Sequence, residues 1–247
     1  MTRIYVPTLT SPVAELPEKA QQHVRVLRLQ VGDTLELFDG QGHIATACIR
    51  SIDKKNIQID VQPLVVAPLP QTYPIHLMQA LINPTKMDLI IQKAVELGVK
   101  SITPLICERT QGRPERVAQK MQHWQAIMES SAEQCGLNLL PVLHPIIALD
   151  SVPEAARTLG AHPVMLSPLA AKQSLGPRPA ATAVIIGPEG GFSPRELAWA
   201  TAQHLDALCL HENILRAETA AIVAIHYLQL DKLPFANDNE SHLEIGE

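Results

Sequence analysis

The sequence predicts an α/β protein in two parts, a small β-rich amino-terminal module and a larger domain built on a mostly parallel sheet. Three observations carry that reading. Short β-type runs with turn signals fill residues 1–70, and the proline-containing stretch "APLPQT" interrupts the chain at 67–72. Beyond it, from residue 73 to 232, apolar runs alternate with helical patterns, as a parallel α/β sheet requires. With 247 residues, 46% hydrophobic and 18% charged, the chain can bury a core in each part.

Met1-Thr2-Arg3-Ile4-Tyr5-Val6 opens with a strand-like pattern. Thr34-Leu35-Glu36-Leu37-Phe38 and Asn56-Ile57-Gln58-Ile59-Asp60-Val61 are further β-type runs, with Gly32-Asp33 and Asp39-Gly40 as turns. One helix is expected over 18–26. In the larger part, residues 75–81, 102–107, 164–167, 183–187 and 207–211 read as strands. Met87, Ile90, Ile91, Ala94 and Val95 recur at helical spacing and Gly98 stops the pattern, which predicts an amphipathic helix over 86–97. A second helix is expected over 115–133. The last, over 215–230, carries Ala217, Ala220, Ala221, Ile222, Val223, Ala224, Ile225 and Leu228 around most of its circumference. Such a helix is expected to be buried on more than one side, in the core or at a subunit interface. The acidic, polar stretch over 233–247 reads as a flexible tail.

Composition excludes several classes. No apolar run reaches the roughly 18 residues of a membrane span, and the start does not read as a signal peptide, so a cytoplasmic protein without a membrane partner is expected. Cys48, Cys107, Cys135 and Cys209 are widely spaced without a C-x-x-C pair, which suggests buried thiols and no metal. The net charge of −5 argues against a nucleic-acid partner, yet residues 231–247 hold five acids and one lysine and so supply most of that deficit. Basic groupings remain at His23, Arg25 and Arg28, at Lys54 and Lys55, and at Arg109, Arg113, Arg116 and Lys120. Each fits a solvated face or a phosphate contact.

The stretch "VIIGPEGGFSPREL", over 184–197, runs from an apolar strand through a glycine turn into a helix. Ser193, Pro194 and Glu196 stand at N-cap, N1 and N3, which is a capping box with the favoured proline. Ligands of α/β proteins sit at such carboxyl ends of strands. A phosphate loop does not fit, because there is no G-K-[ST] or G-x-G-x-x-G, Pro188 has no N–H, and Glu189 repels anions. A neutral or cationic ligand on bare glycine backbone fits better, beside the plainer reading of a tight turn. A second segment, "HENILRAET" over 211–219, again leads from strand to helix. Arg216 lies at that helix start, where the macrodipole disfavours a cation, so it serves either a salt bridge to Glu189 or Glu218 or a polar substrate.

Gly187-Pro188-Glu189-Gly190-Gly191-Phe192-Ser193, followed by Ile214-Leu215-Arg216-Ala217-Glu218-Thr219-Ala220, resembles the carboxy-terminal signature of the RsmE family, methyltransferases acting on N3 of a uridine in 16S ribosomal RNA. The likeness covers nearly the whole chain. Arg25-Val26-Leu27-Arg28 resembles the family's PUA-like amino-terminal RNA-binding domain. Lys86-Met87-Asp88, Gln92 to Val99, Thr103-Pro104-Leu105, Glu108-Arg109-Thr110 and Glu133-Gln134 match its central motifs in order. The resemblance implies a SPOUT-class fold with a trefoil knot near the carboxyl end, a homodimer through the knot region, and S-adenosylmethionine as cofactor.

In that class the cofactor lies among three loops, which map here to Leu166, Ser167 and Pro168, to Ile186, Gly187, Pro188, Glu189, Gly190 and Gly191, and to Leu210, His211, Asn213, Ile214 and Leu215. The implied catalytic group is Arg216, with Glu133, Gln134 or Arg109 orienting the uracil. Arg25, Arg28, Lys54, Lys86 and Arg113 are the implied contacts to 16S ribosomal RNA, free or in the small subunit. The chain departs from the family pattern at His211, Asn213 and Leu137, where a glycine and two arginines are usual. Ribose 2′-O transfer on the same fold and an RNA-binding homologue without transferase activity are the alternatives.

Overall fold

Alternation along the first part of the chain and apolar runs in the second produce two separate sheets. The computed structural model describes residues 1–9, 12–68, 72–110, 117–170 and 179–230; the expected tail over 233–247 and Arg113 lie outside them. The first sheet contains β1 (Thr2–Tyr5), β2 (Val13–Glu15), β3 (Thr34–Phe38), β4 (His43–Ile52), β5 (Ile57–Val61) and β6 (Val65–Val66). Their order is β1-β3-β4-β5-β2, with β6 paired to β4. β1 is parallel to β3 and the other pairs are antiparallel. In β5 the alternation is strict, with Ile57, Ile59 and Val61 buried and Gln58 and Asp60 exposed. That buried face meets Ile4, Leu35 and Ile49 and the Ala20 and Val24 side of α1 (Glu18–Val26).

The second sheet contains β7 (Ile75–Ala80), β8 (Ser101–Ile106), β9 (Val142–Leu143), β10 (Ile147–Ala148), β11 (His162–Leu166), β12 (Thr182–Ile186) and β13 (Asp206–Leu208). The order is β10-β8-β7-β12-β11-β13 with β9 on β8, and every pair is parallel. All of β12 is buried, as expected for a strand covered on both faces. The helices are α2 (Pro84–Glu96), α3 (Val117–Cys135), α4 (Val152–Thr158), α5 (Pro194–Ala202) and α6 (Ala217–Leu230). α2, α3 and α6 cover one face and α4 and α5 the other.

One expectation changes. The strand foreseen over 207–211 ends at Leu208 and the last helix begins at Ala217, because residues 209–216 turn on local bonds. Cys209 Sγ donates to the His211 carbonyl at 3.2 Å, and the Asn213 N–H donates to His211 Nδ1 at 3.0 Å. Within the single chain the helix α6 buries Ala217, Ala221, Ala224, Ile225 and Leu228 and leaves Val223 and Tyr227 exposed.

Arg3 ties the two parts together. Its guanidinium donates to the carbonyls of Gly136 and Leu137 at 3.0 and 3.2 Å and to Asn138 Oδ1 at 2.7 Å. It also pairs with Glu36 at 3.0 Å and lies 4.4 Å from the centre of the Phe38 ring. Close by, the Leu140 N–H donates to the Gly40 carbonyl and the Gly42 N–H to the Asn138 carbonyl. A Cβ on Gly40 would come within 2.8 Å of Leu140, so this approach needs glycine.

Candidate functional site

The carboxyl ends of β11, β12 and β13 open onto one cavity of about 480 Å³. Parallel strands that end together leave their loops to converge there, and the volume lies in the range of small-molecule sites. Each of the three mapped loops reaches it: Leu166, Ser167 and Pro168 after β11; Ile186, Gly187, Pro188, Glu189, Gly190 and Gly191 after β12; Leu210, His211, Asn213, Ile214 and Leu215 after β13. Arg216 and Lys86 line the same cavity.

The glycine turn is built by its neighbours. The Ser193 hydroxyl accepts from the Glu196 N–H at 3.1 Å and the Glu196 carboxylate accepts from the Ser193 N–H at 2.7 Å, completing the capping box at the start of α5. The other Glu196 oxygen accepts from the Glu108 N–H at 2.8 Å and so ties the loop after β8 to this turn. Gly191 has φ of +67°, a conformation costly for a residue with a side chain. Gly187 faces the ring of Phe192, where a Cβ would meet carbon at 3.0 Å.

The expected catalytic groups fall in different places. Arg216 immediately precedes α6 with an exposed side chain, and among the described residues its guanidinium makes no ion pair or hydrogen bond. The salt bridge offered as its plainer role belongs to Lys86 instead, whose Nζ lies 3.8 Å from Glu189 and 3.7 Å from Glu218. Lys86, expected to meet RNA, is therefore held among carboxylates at the cavity wall. Arg109 lies behind the glycine turn, with Nη1 donating to the Gly190 carbonyl at 2.8 Å and more weakly to Phe192 at 3.4 Å. Glu133 stands away from the cavity, accepting from the Tyr5 N–H at 2.9 Å and facing His23 at 3.4 Å, while Gln134 is exposed near the end of α3. The structure thus does not bring Glu133 and Gln134 to the cavity lining.

On the amino-terminal part, the Arg25 guanidinium donates to the Asp53 carbonyl at 3.0 and 3.2 Å and brings α1 beside the turn carrying exposed Lys54. Arg28 is also exposed and takes a positive φ of 55°. His211 is fixed as an acceptor at Nδ1 by the Asn213 N–H, so neutral His211 carries its proton on Nε2. Leu137 packs against the larger core. The thiol of Cys107 is pushed up to about 12, first by burial and then by Glu196, which leaves it inert beside the site.

The donor set fits S-adenosylmethionine. The walls are largely apolar side chain and glycine backbone, which suits adenine and ribose, and the Glu189 carboxylate in the lining would repel a phosphate. No group of three or more His, Cys, Asp or Glu arranged to hold a metal occurs among the described residues, and no helix there is long and apolar enough to cross a membrane.

Comparison with known proteins follows the same division. An RNA methyltransferase domain model matches residues 69–229, and an RNA methyltransferase PUA domain model matches residues 16–62. The chain is 33% identical over 211 residues to the ribosomal RNA small subunit methyltransferase E of Buchnera aphidicola, covering 83% of this chain and 82% of that one. A structure from Legionella pneumophila, described as a methyltransferase with bound S-adenosylmethionine, is 36% identical with a TM-score of 0.86 over 94% of this chain and 98% of that one. The ribosomal RNA small subunit methyltransferase E of Neisseria gonorrhoeae, bound to S-adenosylmethionine, is 32% identical with a TM-score of 0.81, over 93% and 97%.

Proposed function

This chain belongs to the ribosomal RNA small subunit methyltransferase E family, and on that premise we propose that it methylates N3 of a uridine in 16S ribosomal RNA, with S-adenosylmethionine as donor. The observation that carries the reading is a cavity walled by the loops after β11, β12 and β13 and lined by Arg216, whose guanidinium has no ion-pair partner among the described residues.

S-adenosylmethionine supplies an electrophilic methyl group on a sulfonium centre. The chain's residues do the rest. The uridine N3 proton passes to solvent water, the negative charge left behind spreads onto O2 and O4, and Arg216 places donors where that charge grows. The backbone of 187–191, braced by Arg109 and Glu196, holds the donor in register for in-line transfer. The target base leaves its stack to enter the cavity. Arg25, Arg28 and Lys54 form one exposed basic edge for the phosphate backbone. Glu133 contributes through the junction between the two parts and not through the base, given where it is bonded.

Three finer features belong to the same proposal. The amino-terminal sheet is read as a PUA-like barrel over residues 1–70. The second domain, over 73–232, carries a trefoil knot, a reading supported by β12 lying between β7 and β11 while α6 returns to pack against β7 and β12. A second copy docks on the open face of α6, which exposes Val223 and Tyr227, and on the exposed Leu169 and Ile214 of the cavity loops.

The test is single-turnover methylation of 16S ribosomal RNA, read by nucleoside mass spectrometry. N3-methyluridine should form, and Arg216→Ala should slow it about 100-fold with little change in cofactor affinity. Formation of 2′-O-methylated nucleosides alone would overturn the reading.

A further inference from the structure

Lys86, Glu189 and Glu218 are drawn together by three different elements, and what they leave unbonded is informative. Glu189 stands on the glycine turn, Lys86 on the first turn of α2, and Glu218 on the first turn of α6. One Glu189 oxygen, Oε1, accepts from the Asn83 N–H at 3.1 Å and lies 3.8 Å from Lys86 Nζ. Its other oxygen takes no hydrogen bond among the described residues. The Lys86 ammonium lies within ion-pair range of both carboxylates at 3.8 and 3.7 Å, yet hydrogen-bonds to neither. Glu218 Oε2 is buried and also has no hydrogen-bond partner. Buried carboxylate oxygens normally find a partner, so Glu218 Oε2 leaves the cluster with an unmet acceptor, while the second Glu189 oxygen is open to a ligand.

Lys86, Glu189 and Arg216 all line the cavity. Together they offer a cationic donor, an oriented carboxylate acceptor and a second cationic donor. The Watson–Crick edge of uracil reads acceptor, donor, acceptor, from O2, N3–H and O4. Cytosine reads acceptor, acceptor, donor and would set its N3 lone pair against the carboxylate. Charge agrees with this pairing: Glu218 offsets one of the two cations, so Glu189 and the remaining cation meet the imide with no net charge.

We propose that Lys86 and Glu189, with Arg216, form the base-selecting wall of the cavity and recognise the imide edge of uracil, Glu189 accepting the N3–H hydrogen bond and Lys86 donating to a flanking carbonyl. Glu218 positions Lys86 from behind. This rests on the uridine reading above and assigns Glu189 to the nucleobase rather than to the cofactor.

The test uses the full-length protein saturated with S-adenosylhomocysteine, so that binding is read without turnover. The probes are transcribed 16S ribosomal RNA carrying either uridine or cytidine at the position whose methylation has been mapped. The wild type should prefer uridine by about ten-fold or more. Glu189→Gln and Lys86→Met should each reduce that preference to about three-fold or less, while calorimetric affinity for S-adenosylmethionine changes by less than about three-fold. Melting temperature checks that both variants are folded, and if Lys86→Met is not, Glu189→Gln alone decides. Unchanged base preference overturns the proposal, as does a ten-fold loss of cofactor affinity with preference intact, which would place Glu189 on the methionine end of the cofactor. Absence of any mapped N3-methyluridine in the wild type is a failure of the uridine reading instead.

Discussion

The Arg109 guanidinium donates to the Gly190 carbonyl at 2.8 Å, so the loop after β8 holds the glycine turn after β12 from behind. The side chain is exposed and the acceptor is neutral backbone, so the bond is worth roughly 1 kcal/mol. Arg109→Ala should therefore weaken S-adenosylmethionine binding about three- to ten-fold by calorimetry while moving the melting temperature little. A loss confined to the catalytic rate at saturating cofactor would instead support the uracil-orienting role that the sequence suggests for Arg109.

Glu196 is the stronger brace. It accepts from both the Ser193 and the Glu108 N–H and is almost fully buried. Ser193→Ala removes one cap and should cost about 1 kcal/mol. Glu196→Ala strands two N–H groups and should cost roughly 3 kcal/mol. Urea unfolding of the two variants checks the order, and equal losses would contradict it.

Arg3 should matter most where the two parts meet. Its four partners Gly136, Leu137, Asn138 and Glu36 lie on both sides of that junction. Arg3→Ala should destabilise the protein by roughly 2 kcal/mol and weaken the coupling of the two parts, seen as a broadened or split calorimetric transition. A single sharp transition at the wild-type temperature would contradict it.

A pH dependence follows from His76 and His144 at the far end of the sheet. His76 Nδ1 bonds the Ser101 hydroxyl at 2.7 Å. Burial lowers its pKa, and the charges of His144 and Lys100 lower it further; burial alone lowers that of His144. Both groups thus bind protons more readily when unfolded. Their stabilisation is complete above the ordinary imidazole value of 6.5 and declines as pH falls below it, levelling once the folded groups are protonated. The melting temperature should fall between about pH 7 and pH 5, and a His76→Asn, His144→Gln double variant should flatten that fall. An identical slope in the double variant would contradict it.

Much of this was legible in sequence. The α1 bounds, the capping box at Ser193 and the parallel sheet came from local pattern, because caps and periodicity are local chemistry. The cavity loops came from a motif resemblance, and the structure gathers every mapped residue into one lining. What local pattern could not show were pairings distant in sequence: Arg3 with residues 136–138, Glu196 with Glu108, and Lys86 with Glu189 and Glu218. The one available signal for Lys86 was a cation in the first helical turn, the same anomaly that singled out Arg216. The elements β9, β10 and α4 were too short for periodicity to register.

The most direct test of the central claim is mass-spectrometric mapping of 16S ribosomal RNA from cells lacking this protein, with and without a restored copy. The account predicts one N3-methyluridine that disappears on deletion, returns with the wild-type protein, and does not return with Arg216→Ala. An unchanged modification map on deletion would contradict it.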